Sequence, residues 1–476
     1  MEKIHALLEG MTAREGIPSA IIGVRRGDHL EILSTGLADI ETGLAPNLHT
    51  IYPIGSCSKA FVATAICMLQ EEGLLGLDAP VKRYLPDFAL YTEALTEALT
   101  LRDMLSHNSG LSTHDLLYES ILESLDIRKV VALMAHMPPL LPFRYAMHYQ
   151  NHMFTLACLL VEAVTGMTWD TFLRQRIFEP LGMSRTFCDL ADCIEDANMA
   201  RPYVRGGDGK PQRAHYEDIY RAVAAAGCIN STIHDMDIWL RLQLGRGQLG
   251  ALRIFSQKSA RLLHDMQNII RPQEFYPFDF EDIEAKSYGL GWCIQYMYGR
   301  KLVAHGGSIR GFRTLAAFLP EDDACFTILC NLEGTSFQDM MAYQLAAQLL
   351  GHGEDDWIGR IAADMGPKMQ TAGEAESAFR AGLVGKTAAL PAAAYTGSYT
   401  GDIYGPLEIS EDDSGLTARI GTLTMTLLPM GGHDFAAIYR DKNKRYTLSF
   451  ICQEGAAASV TWNPDGPVVF VRSSPQ

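Results

Sequence analysis

A serine and a lysine lie three residues apart in the stretch PIGSCSKAFVATAI (residues 53–66), just before an apolar, alanine-rich segment. At the first turn of a helix, Ser56 and Lys59 would share a face, so the lysine amine could reach the serine hydroxyl. That hydroxyl is a poor nucleophile until a base removes its proton. An amine with the ordinary lysine pKa of about 10.4 could act as the base near pH 7 only if burial and the helix dipole lowered its pKa. The structural alternative is a capped helix with a lysine that reaches solvent.

A second stretch, RYAMHYQNHMF, carries polar groups that such a nucleophile needs. Tyr149 and Asn151 come just before a segment with helical periodicity. The Tyr149 phenol could relay a proton between the nucleophile and a leaving group. The Asn151 amide could hold a substrate carbonyl or orient Lys59. A buried tyrosine followed by a helix-capping asparagine is the structural alternative.

A third stretch, VAHGGSIRGF, places a histidine and two glycines at the end of a predicted strand. Gly306 and Gly307 would let a substrate backbone approach closely. The amide of Ser308, together with the amide of the nucleophile, could form an oxyanion hole. His305 could donate to the substrate or to Tyr149. The alternative is a glycine-rich bend beside an ordinary histidine.

Bringing these residues together requires a sheet and helices, and the chain has signals for both. The stretches SAIIGV and HLEILSTG predict a β-hairpin near the start of the chain, and RKLVAHGGS, FRTLAAFLP and ACFTILCNL predict three later strands. From Lys59 to about residue 280 the periodicity is mostly helical. The pattern predicts an α+β fold in which one sheet closes late in the chain and helices pack around it.

The last part of the chain has a different character. The segment from Gly351 to about Leu390 is polar and alanine-rich, which predicts a partly helical linker. After it, short alternating stretches such as RYTLSFIC and VVFVR are separated by turns such as NPDGP, which predicts a small antiparallel β-barrel. We therefore predict domain boundaries at 1–352, 353–390 and 391–476.

The composition argues against several classes of partner. The formal net charge is −16, whereas a nucleic-acid surface needs clustered lysine and arginine. The longest apolar runs, such as MFTLACLLV, are too short to span a membrane, and charged residues interrupt the amino terminus, so no secretory signal is apparent. We expect a cytoplasmic protein without nucleic-acid or membrane partners.

Metal and disulfide sites are not expected either. The ten cysteines are irregularly spaced and form no Cys-x-x-Cys pair, which favours buried free thiols. His148 and His152 are four residues apart, but no glutamate completes a His-Glu-x-x-His motif. We expect no metal and no cofactor.

Taken in order, the Ser-x-x-Lys at Ser56, the Tyr-x-Asn at Tyr149 and the His-x-Gly at His305 resemble the motifs of the serine β-lactamase and penicillin-binding-protein-like hydrolases. The resemblance is closest to the class C β-lactamase-related esterase and D-aminopeptidase branch. The stretches TLRDMLSHNSGL, AAGCINSTIHDMDIWL and YGLGW also resemble family segments in family order, over roughly residues 5–350. The stretch YTGSYTGDIYGPLEI resembles the lipocalin-like domain appended to some of these peptidases.

The resemblance implies a fold and a mechanism. The fold is a β-lactamase/transpeptidase-like antiparallel sheet flanked by helices, with a large helical subdomain and a C-terminal lipocalin-like barrel. In the mechanism, Ser56 attacks a carbonyl, Lys59 and Tyr149 share the proton transfers, and water or an amine releases the acyl-enzyme. His305 stands where β-lactamases and penicillin-binding proteins have a lysine, and a neutral histidine holds a carboxylate more weakly.

We therefore expect a serine hydrolase that cleaves peptide or amide bonds, including those of D-residues, and we do not expect a β-lactamase. An esterase, or an acyl transferase that includes peptide cyclisation, is the alternative on the same fold. A catalytically silent protein that uses the pocket as a ligand receptor is the alternative from another class. The expected partner is a small peptide, amide or ester substrate, and self-association is left open.

Overall fold

The computed structural model of this chain describes residues 2–120, 126–216, 223–271, 278–413, 415–439, 444–463 and 466–473. The chain forms two compact units. The first contains Met1–Phe88, Thr96–Gly110 and Leu141–Met365, and the second contains Ala89–Leu95, Leu111–Leu140 and Gly366–Gln476. The domain boundaries drawn from the sequence stay a prediction.

The helices of the described residues range from single turns to seven turns. They are α1 (Glu2–Glu15), α2 (Lys59–Glu71), α3 (Glu93–Ala98), α4 (Leu101–Leu105), α5 (Leu116–Ser120), α6 (Ile127–Leu133), α7 (Asn151–Thr165), α8 (Trp169–Leu173), α9 (Glu179–Leu181), α10 (Ile233–Leu244), α11 (Gln257–His264), α12 (Phe337–Leu349) and α13 (Trp357–Leu383). The predicted linker therefore contains one long helix, α13.

The strands of the first unit fall into one large sheet and several short pairs. They are β1 (Ser19–Arg26), β2 (His29–Gly36), β3 (Tyr52–Pro53), β4 (Tyr203–Arg205), β5 (Pro211–Arg213), β6 (Asn230–Ser231), β7 (Gln248–Leu249), β8 (Leu252–Arg253), β9 (Asn268–Ile269), β10 (Ile283–Tyr288), β11 (Cys293–Met297), β12 (Arg300–Ile309), β13 (Phe312–Leu319) and β14 (Ala324–Cys330). The large sheet is antiparallel, with the order β2-β1-β14-β13-β12-β11-β10-β9.

This sheet contains the five predicted strands and three more. The hairpin β1–β2 and the strands β12, β13 and β14 lie where the sequence analysis expected them. It did not predict β9, β10 and β11. Their segments mix polar and apolar residues, as in IEAKSY and CIQYM, and the glycine-rich stretch YGLGW interrupts them, so the strand pattern is weak. The predicted α+β class is confirmed.

Helices cover both faces of the sheet, which is why β1 is buried along nearly its whole length. On one face, Ile22 and Val24 belong to a core cluster that also contains side chains of α1 and α12. On the other face, Gly23 lies against α10: a Cβ on Gly23 would meet Ile233 Cγ2 at 2.6 Å. The sheet is thus the central layer of three, and α2, which begins at Lys59, lies buried among the helices.

The second unit contains a closed antiparallel barrel. Its strands are β15 (Gly397–Gly401), β16 (Gly405–Asp412), β17 (Gly415–Ile420), β18 (Leu423–Gly431), β19 (Asp434–Tyr439), β20 (Lys444–Gln453), β21 (Ala456–Trp462) and β22 (Val468–Arg472). Buried aromatic side chains such as Tyr399, Phe450 and Trp462 fill its interior, and buried positions alternate with more exposed ones along the first part of β18. The predicted C-terminal barrel is confirmed.

Two further features concern the whole chain. All ten cysteines are free, and most of their side chains are buried. No single helix in the described ranges is long and apolar enough to cross a membrane. The helices at Asn151–Thr165 and Trp169–Leu181 meet that length and composition test only as a pair, and the chain bends by 78° between them.

Candidate active site

A short 3₁₀ turn, Gly55–Ser58, joins β3 to α2 and carries the predicted nucleophile. The sequence analysis expected a helix to begin at Ser56, whereas the α-helix begins at Lys59. The 3₁₀ turn favours the predicted contact between Ser56 and Lys59, because it has three residues per turn and therefore aligns side chains that are three residues apart. Gly55 starts the turn with φ +53°, and a Cβ there would lie 2.8 Å from the Ser308 nitrogen, so both conformation and space require glycine.

Lys59 is fully buried, and its amine contacts three acceptors. Nζ donates to Ser56 Oγ at 2.9 Å, to Asn151 Oδ1 at 2.7 Å and to the carbonyl oxygen of Ala226 at 2.7 Å. An ammonium has three N–H groups, so this set satisfies its protonated form. After losing one proton, the amine could keep the two bonds to Asn151 and Ala226 and accept the proton of Ser56. This geometry would allow Lys59 to act as a base toward the Ser56 hydroxyl.

Tyr149 lies over this amine. The Lys59 Nζ is 4.7 Å from the centroid of the Tyr149 ring, and both Tyr149 and Ser56 line the same cavity. Asn151, the second predicted site residue of this region, is the first residue of α7, and Gln150 is the cap: its side chain accepts from the His152 N–H. The structure thus brings Ser56, Lys59, Tyr149 and Asn151 together.

His107 holds the backbone on both sides of Tyr149. Its carbonyl oxygen accepts from the His148 N–H at 2.9 Å, and its Nδ1 accepts from the Gln150 N–H at 3.1 Å. Its ring centroid is 4.3 Å from that of Tyr149, and burial, together with the nearby Lys59 charge, holds the pKa of His107 well below its ordinary value. A neutral His107 keeps Nδ1 free to accept from the Gln150 N–H.

His305 also lies in the site, but its ring is occupied by protein groups. Nδ1 donates to the Gly306 carbonyl at 2.7 Å, so Nε2 is the acceptor of the Tyr288 hydroxyl at 2.8 Å. Burial and the Lys59 charge lower the pKa of His305 to about 3. In this arrangement His305 is neutral, and neither nitrogen has a proton left to donate to a substrate or to Tyr149.

The two predicted glycines of β12 have different surroundings. A Cβ on Gly307 would lie 2.0 Å from the Ile54 carbonyl oxygen and 2.2 Å from Thr314 Oγ1, whereas a Cβ on Gly306 would have only the Thr314 carbonyl oxygen, at 3.8 Å. Gly307 therefore lets the turn that carries Ser56 pack directly on β12. Cys57, also in that turn, donates from Sγ to the His305 carbonyl at 3.1 Å, and burial raises the pKa of its thiol to about 12.

One edge of β12 is open beside Ser56. Strand β11 pairs with β12 only at Arg300–Ala304, so among the described strands the residues from His305 to Ile309 pair with β13 alone. A cavity of about 370 Å³ opens along this edge and is lined by Ser56, Tyr149 and the segment His305–Ser308. An extended substrate could lie against this edge, with the amides of Ser56 and Ser308 near its carbonyl.

Three contributors to the site were not identified as site residues from the sequence: the Ala226 carbonyl, His107 and Tyr288. Each lies in a stretch that carries the family resemblance, so their segments were found although their roles were not. Within the ranges that the structure describes, no group of three or more histidine, cysteine or acidic side chains is placed to hold a metal ion.

Comparison with known proteins gives a consistent result. Residues 4–350 match the family Beta-lactamase. The unguisins hydrolase ungD' of Aspergillus campestris is 27% identical over 428 residues, which is 83% of this chain and 75% of that protein. The D-aminopeptidase of Brucella anthropi is 27% identical over 358 residues, which is 73% of this chain and 62% of that protein.

Among solved structures, the octameric penicillin-binding protein homologue from Pyrococcus abyssi matches with a TM-score of 0.66. It is 20% identical and covers 98% of this chain and 99% of its own, so the likeness of fold includes the barrel. With the family match spanning most of the chain, we conclude that this chain belongs to the Beta-lactamase family.

Proposed function

We propose that this chain is a serine hydrolase that forms an acyl-enzyme on Ser56 and cleaves amide bonds in peptides, including bonds next to D-residues. The contact of the Lys59 amine with Ser56 Oγ, Asn151 Oδ1 and the Ala226 carbonyl carries this proposal. It supports the proposal because an amine at hydrogen-bonding distance from a serine hydroxyl can act as the base for that hydroxyl.

In the first half of the reaction, Ser56 Oγ attacks the substrate carbonyl and its proton moves to the deprotonated Lys59 amine. The developing oxyanion is bound by the N–H groups of Ser56 and Ser308. The C–N bond then breaks, and the leaving amine takes a proton from Lys59 or, through its hydroxyl, from Tyr149. The two groups act as one coupled proton carrier.

In the second half, water replaces the leaving amine. Lys59 and Tyr149 remove a proton from that water as it attacks the acyl carbonyl, and Ser56 regains its proton when the ester bond breaks. His305 is given a supporting role: its neutral ring holds the Gly306 carbonyl and the Tyr288 hydroxyl. A neutral ring offers no charge for a substrate carboxylate, which is one reason to prefer peptides over β-lactams.

The names of two relatives support the substrate class. One is named as a hydrolase of unguisins and another as a D-aminopeptidase. An esterase, an acyl transferase that includes a peptide cyclase, and a silent receptor remain the alternatives. A panel of L- and D-aminoacyl amides beside short-chain esters, with and without an added amine, separates the first two from a peptidase.

Covalent labelling tests the nucleophile. We expect a fluorophosphonate probe to add one equivalent to the chain, as read by intact mass, and expect Ser56→Ala to abolish the addition. Ser398→Ala removes a hydroxyl that donates to Glu408 on the barrel and serves as the matched control, with labelling at the wild-type rate. Labelling that survives Ser56→Ala would remove Ser56 from this role, and a wild-type chain that is never labelled would favour the receptor.

We also propose that the chain self-associates. The Pyrococcus abyssi homologue, which matches nearly the whole chain, is described as octameric. Sedimentation velocity across a hundredfold range of concentration tests this, and a single species with the monomer mass of 52.5 kDa throughout would contradict it.

A further inference from the structure

The cavity beside Ser56 continues around the open edge of β12 onto the opposite face of the sheet. There it is lined by Gln295, Arg313, Leu315, Gln338, Asp339 and Tyr343, which we call the distal chamber. Arg313 and Leu315 lie two residues apart on β13 and so share a face, and Leu315 belongs to the core cluster that contains α12 side chains. Thr314, between them, points the other way and donates to the Ile54 carbonyl.

Polar groups of the distal chamber lack partners. No described residue forms a hydrogen bond or an ion pair with the side chain of Arg313, and its Nε is buried. Gln338 is only 6% exposed, and its Oε1 has no partner within the described part of the chain. Its Nε2 donates to Asp339 Oδ2 at 2.9 Å. Burial raises the pKa of Asp339 to about 6, although the Arg313 charge opposes this.

Such groups are costly to bury unless something completes them. Arg313 offers N–H donors, whereas Gln338 and Asp339 offer acceptor oxygens. The two charges are opposite in sign and do not pair directly, so a ligand of either net charge would meet repulsion from one of them. A neutral group with a carbonyl at one end and an N–H at the other would satisfy both sides.

We propose that the distal chamber binds a second peptide group of the substrate, with its carbonyl oxygen on Arg313 and its N–H on Gln338 or Asp339. This inference rests on the proposed function, because it assumes that Ser56 acts on the neighbouring amide. It makes the chain a peptide hydrolase that needs more than one residue, as distinct from an amidase of single amino acids.

The strand register fits this assignment. Arg313 is the direct partner of Ser308 across the β12–β13 pair, at about 5 Å between Cα atoms. Ser308 in turn lies against the turn that carries Ser56. An extended residue spans about 3.5 Å, so a group bound by Arg313 belongs one to three residues from the bond that Ser56 attacks.

Kinetics on matched substrates test the proposal. The set is one D-aminoacyl amide and two blocked peptides that contain the same scissile bond, one extended on its acyl side and one on its leaving side. We expect Arg313→Gln and Asp339→Asn each to lower kcat/KM at least about tenfold for one of the extended peptides, and by less than twofold for the single-residue amide. Arg300→Gln, which breaks an ion pair with Asp322 at the far end of β12, is the control and should change neither.

Three results would overturn the proposal. The first is an equal loss on all substrates, which would mean a general structural role. The second is no loss on either extended peptide. The third, measured with the unblocked forms of the same two peptides added to the set, is a loss confined to the forms with a free carboxylate, which would mean an anion site. Thermal melts of each variant guard against misfolding.

Failure of the proposed function is separable from failure here. If the wild-type chain turns over none of these substrates, calorimetry measures binding of the two blocked peptides to Ser56→Ala, with and without Arg313→Gln. We then expect Arg313→Gln to weaken binding of one of them at least about tenfold, and an affinity for each peptide that is the same with and without Arg313→Gln would overturn the inference.

Discussion

The groups that contact Ser56 and the groups of the distal chamber, on the two faces of the sheet at β12, differ in how completely they are satisfied, although His107 Nε2, behind Tyr149, is also buried without a described partner. On the Ser56 face, Lys59 Nζ has three acceptors and both nitrogens of His305 have partners. On the opposite face, Arg313 Nε and Gln338 Oε1 are buried without a described partner. Under the two proposals, the hydrogen bonds that hold the reacting groups are formed before the substrate binds. The substrate itself supplies the missing hydrogen-bond partners on the opposite face.

Removal of the Lys59 amine should have the largest effect on the labelling rate. In Lys59→Ala the nucleophile loses its base, and we expect the rate of fluorophosphonate labelling to fall by about 10² to 10⁴. The measurement is the time course of the mass shift at pH 7. Lys301→Ala removes a lysine of β12 that pairs with Asp265 and should label at the wild-type rate. An unchanged rate in a folded Lys59→Ala protein would contradict the assignment of the base.

The glycine pair gives the next largest effect. Gly307→Ala places a Cβ against the Ile54 carbonyl, and we expect a loss of about 1–3 kcal/mol in the free energy of unfolding, with labelling strongly reduced because the Ser56 turn is pushed away from β12.

Gly306→Ala is the matched comparison, since its Cβ would make only an ordinary van der Waals contact with the Thr314 carbonyl oxygen, at 3.8 Å. We expect its free energy of unfolding to stay within about 0.5 kcal/mol of wild type. Chemical denaturation measures both variants. Equal losses would mean that the glycines serve backbone flexibility and not the packing of the turn.

The free energy of unfolding at acid pH should depend on His305, because its buried ring is neutral in the folded chain. The pKa of His305 is about 3 in the folded chain and about 6.5 when unfolded, so the unfolded state binds the extra proton below pH 6.5 and stability falls as the pH drops toward 3. Replacing it by glutamine should flatten this fall, by about 2 kcal/mol between pH 6.5 and pH 5. Urea unfolding at several pH values provides the slope.

His264 makes the control for that slope. Burial also lowers its pKa to about 3, and its Nε2 bonds to Gln243 away from the site. His264→Gln should flatten the acid limb to the same degree while labelling stays at the wild-type rate. If His305→Gln left the acid limb unchanged, the neutral assignment of its ring would be wrong.

The smallest effect on the labelling rate concerns the Tyr288 hydroxyl, which donates to His305 Nε2. Tyr288→Phe leaves the buried Nε2 without its donor, and we expect a loss of about 1–3 kcal/mol in the free energy of unfolding with labelling slowed less than tenfold. Tyr399→Phe removes a buried hydroxyl that donates to the Tyr395 carbonyl in the barrel. It should lose similar stability without any change in labelling, and a slower label in Tyr399→Phe would show that the readout follows stability alone.

Those parts of the candidate site that depend on side-chain types at fixed spacing could be predicted from the sequence. Ser56 and Lys59 are three residues apart along one turn, and Tyr149 and Asn151 are two apart, so their types and spacing are visible without coordinates. The tautomer of His305 was not predictable, because it depends on Tyr288, seventeen residues earlier on another strand. The Ala226 carbonyl leaves no signal in residue type at all.

The fold divides in the same way. The strands β1, β13 and β14 contain apolar runs because both faces of the sheet are covered there, and such runs are easy to predict. The strands β10 and β11 have polar residues at positions that only tertiary packing covers, so the sequence alone does not mark them. Only the folded chain shows that the open edge of β12 leads to Arg313.

Cys57 has a consequence for the chemical behaviour of the whole site. In free amino acids a thiol outcompetes a hydroxyl for electrophiles, yet here the thiol next to Ser56 is sealed against the His305 carbonyl, and burial raises its pKa to about 12. Under the proposed mechanism, the Ser56 hydroxyl is therefore more reactive than the Cys57 thiol beside it, which reverses the intrinsic order of the two groups. We therefore expect covalent inhibitors of this protein to need electrophiles that react with hydroxyls. Electrophiles that require a thiolate should not react with Cys57, because its thiol is buried and protonated.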